Sequence, residues 1–160
     1  MAWTTPETFT SGQTLTASSM NAISDNLTEV APFMSAWTDY APTVTQSSSV
    51  ANTATTASYI QIGKLVIATF RLDITASGTS SNTVTVTLPV TAANTLVYVG
   101  AGAIFDTSAS TNYEGMWINA STTTAQLAGD WSGQNAWGTT PTTALASGDA
   151  IRGMLIYEAA

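Results

Sequence analysis

Leu65-Val66-Ile67-Ala68-Thr69-Phe70-Arg71-Leu72-Asp73-Ile74 is the stretch on which the fold turns. Val66, Ala68, Phe70, Leu72 and Ile74 occupy every second position, with Thr69, Arg71 and Asp73 between them. Successive side chains of a strand point to opposite faces, so this spacing predicts a strand with one face in a core and the other in water. Upstream, Ile60 and Ile62 alternate as far as a Gly63-Lys64 break, where Lys64 marks a strand turn. Downstream, Ser77-Gly78-Thr79-Ser80-Ser81 supplies a turn. A return strand follows, with Val84, Val86 and Leu88 alternating with Thr83, Thr85 and Thr87, and Pro89 ends it.

The same two-residue period continues through candidate strands at 96–105, 113–119, 123–128 and 150–157, with a short one at 42–47. Gly, Asn, Ser and Thr fill the segments between them, and about eight strands result. Gly100 and Gly102 within one strand imply either close approach of another backbone or a bend at a sheet corner. Many short strands without intervening helices predict an all-β fold, an antiparallel β-sandwich of jelly-roll type, rather than a parallel α/β fold.

The N-terminal part reads differently. Residues 1–15 mix Thr, Pro and Gly with isolated Trp3, Phe9 and Leu15, which predicts an extended arm. A large apolar side chain gains about 1.5–3 kcal/mol on burial, so these residues are expected to anchor the arm on a neighbouring protein or subunit. Thr16 is placed to cap a short α-helix in which Met20, Ile23, Leu27 and Val30 form a seam with heptad spacing, and Pro32 stops it. A helix of about 15 residues is marginal by itself in water. Its seam must therefore pack on something, either its own domain or other copies. The expected organisation is an arm and helix over residues 1–36, for docking or trimerisation, followed by a β-sandwich over 37–160.

Composition narrows the possible roles. Ten carboxylates face only Lys64, Arg71 and Arg152, giving a formal net charge of −7 at pH 7. Phosphate backbones are bound through Lys and Arg, so nucleic acid and anionic membrane are not expected partners. Charged residues make up 8% of the chain against a usual value of roughly 25%. So little charge gives weak protection against association, and homo-oligomer formation or incorporation in a larger assembly is expected. Cysteine is absent, which leaves core burial and oligomerisation to supply stability. No apolar run approaches a membrane span, and the N-terminus lacks the features of a signal peptide, which suggests synthesis in a cytoplasm.

Histidine and cysteine are both missing, which removes the usual general base, thiol nucleophiles and most transition-metal sites. The remaining route to catalysis is a carboxylate pair drawn from Asp106, Glu114 and Asp130, with solvated surface carboxylates as the simpler reading. Asp106, Asn112 and Glu114 form a loose oxygen set for calcium without a recognised loop pattern. No enzyme, cofactor or metal centre is expected. The segment from Gly129 to Gly138 places Trp131 and Trp137 among Asp130, Gln134 and Asn135. Such a loop can stack and hydrogen-bond a host-surface glycan, or its tryptophans can plug the core or an interface.

Several short motifs carry a family likeness. Trp3-Thr4-Thr5-Pro6-Glu7-Thr8-Phe9, Gly12-Gln13-Thr14-Leu15-Thr16-Ala17, Met20-Asn21 and Asp25-Asn26-Leu27 stand at the N-terminus. Tyr59-Ile60-Gln61-Ile62-Gly63-Lys64-Leu65-Val66, Thr87-Leu88-Pro89-Val90 and Ser147-Gly148-Asp149-Ala150-Ile151-Arg152-Gly153, with Tyr157-Glu158, follow in the rest of the chain. Together they resemble small virion proteins of tailed phages of actinobacteria, of the minor tail, fibre or capsid decoration type. The resemblance implies a virion protein on the outer surface of the particle. Its arm would dock on other virion proteins of capsid or tail, and its sandwich would face outward, often in a trimer.

Overall fold

A computed structural model describes residues 5, 8–31, 37–95, 97–129 and 135–160. The chain divides into two compact units, residues 1–36 and residues 37–160. In the first, residues 8–16 carry no helix or strand and are exposed, with a turn in which Thr10 and Gln13 bond to each other. Helix α1 spans Ala17–Val30. Thr16 keeps extended backbone angles and its hydroxyl accepts the Ser19 N–H at 3.2 Å, which satisfies one of the orphan donors of the first turn.

The second unit holds eleven strands among the described residues. They are β1 (Thr38–Asp39), β2 (Val44–Gln46), β3 (Ser48–Val50), β4 (Asn52–Ile62), β5 (Leu65–Ile74), β6 (Thr85–Thr87), β7 (Tyr98–Asp106), β8 (Thr111–Asn119), β9 (Thr124–Gly129), β10 (Asn135–Ala136) and β11 (Ala150–Glu158). Every ladder is antiparallel. Ten strands form one sheet in the order β1-β4-β5-β11-β7-β8-β9-β6-β2-β3, and β10 adds to β9. The all-β antiparallel expectation is met, with a helix before it. The strands form one continuous sheet, curled like half a barrel, whose inner face encloses a single core.

β5 alternates as its sequence requires: Val66, Ala68, Phe70, Leu72 and Ile74 are buried, and Arg71 is exposed. Gly63 and Lys64 make a two-residue turn between β4 and β5, with Gly63 at φ 58°, the positive angle a tight hairpin needs. Two expectations change. β4 begins at Asn52, in a Thr- and Ala-rich stretch without large apolar residues, because one side of its first half is a sheet edge with little to bury. The strand around Val86 does not return against β5. β11 occupies that flank from Ala150↔Asp73 to Glu158↔Leu65, and β6 pairs instead with β9 and β2.

Two buried polar side chains hold the loops at the ends of the sheet. Gln46 donates through Nε2 to the carbonyls of Asn82 (3.1 Å) and Thr143 (2.8 Å), and its Oε1 accepts the Leu145 N–H at 2.9 Å. Asp149 accepts the N–H groups of Thr107 (2.9 Å) and Ala146 (2.8 Å). Hydrogen bonds of this kind offset the cost of burying these polar groups.

Candidate functional site

The predicted site residues fall into three groups. Trp3, Asp130 and Trp131 lie outside the described residues, as does the side chain of Asn135. Phe9 and Leu15 are exposed. On α1, Leu27 is 65% and Met20 49% exposed, Val30 is also exposed and Ile23 is half-buried. The more covered positions, Ser19, Ala22, Asn26 and Glu29, lie on an adjoining stripe three and four residues apart. Three of the four seam residues are therefore among the exposed apolar side chains of the described residues.

Trp137 is fully buried and packs edge-on to Tyr113 with ring centroids 5.8 Å apart. It offers no free face for a sugar and plugs the core, the packing role that its sequence also allowed. Of the carboxylate candidates, the two that are described, Asp106 and Glu114, point to opposite faces of the sheet. Strand alternation sends Asp106 inward, where it accepts Ser108 Oγ (2.7 Å) and the Ala109 N–H (2.9 Å), and sends Glu114 outward, beside Asn112 at 2.8 Å. Among the described residues no cluster of acidic side chains could hold a metal ion.

The most distinctive surface is the outer face of β5, β11, β7 and β8. Its construction starts inside. Register places Phe70, Gly153, Gly102 and Gly115 side by side across the four strands on the inner face. Trp117 fills the space that the glycines leave, edge-on to Phe70 at 5.4 Å, and its Nε1 donates to the Arg152 carbonyl at 3.3 Å. A Cβ on Gly102 or Gly153 would run into the Trp117 indole, and one on Gly100 would meet the Met154 carbonyl. The glycines of β7 thus mark close approach, one of the two meanings their sequence allowed.

On the outer face the small side chains of Ala101 and Ala103 leave a shallow depression of about 590 Å³, lined also by the backbone of Gly102, Gly115 and Gly153. One neighbouring row runs Arg71, Arg152, Ala103, Glu114, and the next runs Thr69, Met154, Ala101, Met116. Met116, Met154, Ile156 and Leu65 of this face are exposed. Two of the chain's three cations therefore stand directly opposite each other, an unfavourable pairing unless anions are near. Asp73 meets that need at 3.2 Å from Arg71 Nε. A hydrogen bond from the Thr55 hydroxyl (2.5 Å), then Arg71 and the charge of Arg152, hold the Asp73 carboxyl below the usual carboxylate range against some desolvation. In the sequence Arg71 is simply one of the polar positions alternating with Phe70 and Leu72. The cross-strand rows become visible only with the register.

Comparison with protein-family models, with curated proteins and with solved structures finds no match.

Proposed function

We propose that the chain is a structural protein on the outer surface of a phage particle. It docks through its N-terminal segment and forms a trimer through α1, as a minor tail, fibre or capsid decoration protein. In this reading the curled sheet is the outward-facing, sandwich-like body, and its role is mechanical rather than catalytic. The observation that carries the proposal is the exposed seam of Met20, Leu27 and Val30, preceded by exposed Phe9 and Leu15. Burying each such side chain is worth about 1.5–3 kcal/mol, so seams meeting around a threefold axis would offset the marginal stability of so short a helix. The resemblance of residues 3–27 to phage virion proteins supports the same reading. Linked attachments then reinforce one another through effective concentration.

Native mass spectrometry of the full chain tests the trimer. Leu27→Asp should divide the measured mass by three while leaving the β-sheet circular dichroism unchanged; an unaltered mass would remove α1 from the assembly. Deletion of residues 1–15 should abolish incorporation into particles and leave the sheet folded. Copy number separates the two locations, because a capsid decoration protein is present in far more copies per particle than a tail protein.

A further inference from the structure

We propose that the outer face of β5-β11-β7-β8 is a second self-association surface, on which another copy of this chain packs across a twofold axis. The inference concerns residues 37–160 and does not depend on the particle reading. It rests on the way size and charge are distributed along two cross-strand rows.

Consider an axis that runs parallel to the strands, midway between β11 and β7, in the gap between two facing sheets. It maps β5 of one copy over β8 of the other, and β11 over β7, while each row stays over itself. In the first row Arg71 then lies over the partner copy's glutamate at position 114, and Arg152 lies over alanine at position 103. In the second row Met154 lies over alanine at position 101, and Met116 over threonine at position 69. Arg152, Met154 and Met116 each meet a smaller side chain, and Arg71 meets the oppositely charged glutamate. The depression above Ala101, Ala103 and the glycines is the hole that Met154 of the second copy would enter. Facing sheets sit about 10 Å apart and align within about 30°, which suits interdigitation of this kind.

The composition of the face agrees. Met116, Met154, Ile156 and Leu65 are each more than two-fifths exposed on one side of one sheet, and contiguous apolar surface of this kind marks a protein interface. Asp73, Glu114 and Glu158 on the four strands are balanced by Arg71, Arg152 and, from the β4–β5 turn, Lys64 at 3.8 Å from Glu158, so two such faces meet without the repulsion that a net −7 chain would otherwise impose. A twofold contact requires the same patch to be its own complement, and this arrangement supplies that.

Native mass spectrometry of the full chain and its variants provides the test. Wild type should contain an even number of copies. Ala101→Met fills the hole and Glu114→Arg makes the charged residues of its cross-strand row all cationic, and each should halve the mass with the circular dichroism unchanged. Adding Met154→Ala to Ala101→Met moves the large side chain one strand across and should restore the wild-type mass. An odd copy number, a mass that neither single variant changes, or a double variant that stays dissociated would overturn the proposal. Because these variants halve the mass whereas the α1 variant divides it by three, the two surfaces fail or succeed separately.

Discussion

Replacing Gln46 with Leu should cost about 3 kcal/mol of stability although it removes no apolar contact. Gln46 is fully buried and its amide is the partner of three backbone groups, the Asn82 and Thr143 carbonyls and the Leu145 N–H. The two carbonyls belong to partly buried surroundings and can recover some hydration, at about 0.5–1 kcal/mol each. The Leu145 amide has no such access, and an unsatisfied buried donor costs about 1–3 kcal/mol. Leucine is close in volume, so no large cavity adds to the sum. The surrounding glycines sharpen the expectation, since a Cβ on Gly78 or Gly138 would strike the Gln46 side chain, which shows how closely the loops close on this amide. For a chain of this size the loss corresponds to a fall of roughly 10 °C in the melting midpoint. Urea denaturation of wild type and variant at one protein concentration measures it. A loss below about 1 kcal/mol would mean that water reaches all three groups, and the account of Gln46 as the clamp between β2 and the loops at 77–82 and 138–145 would be wrong.

Two further outcomes follow from the core. Gly153→Ala places a methyl group against the Trp117 indole and 2.7 Å from Phe70 Cζ, both rings being buried, so it should destabilise by about 2–3 kcal/mol in the same denaturation assay; a neutral substitution would show that the rings can shift. The Tyr40 hydroxyl is buried with no hydrogen-bond partner among the described residues, and burial, then Tyr157, pushes its phenol above the usual tyrosine range. Its folded-state pKa is raised, so the neutral form is favoured: the associated stability is whole below the unfolded value of about 10 and is lost as pH rises beyond it. Tyr40→Phe should leave stability at neutral pH within about 1 kcal/mol and move alkaline unfolding to higher pH, though not abolish it, because burial also raises the Tyr157 phenol. An unmoved alkaline midpoint would assign that transition to other groups.

Much of the local structure was already present in the order of the residues. The alternation of Val66 to Ile74 identified β5 and its inner face, the Gly63-Lys64 break located a hairpin, and Thr16 with the spacing of Met20, Ile23, Leu27 and Val30 located α1. These features depend on neighbours a few residues apart, and periodicity records them directly. The first half of β4 left no such trace, because a Thr- and Ala-rich edge has little to bury and so no reason to alternate. Pairing was hidden for a different reason. β5 lies beside β11, some eighty residues away, rather than beside the segment that follows it, and hydrogen bonds between strands do not depend on side-chain identity. Tertiary structure alone therefore set Arg71 against Arg152, Met154 beside Ala101, and three glycines in line beneath Trp117. What the sequence determined was which residues face inward. Register decided which of the outward-facing ones share a surface, because it arises from contacts that no local pattern encodes.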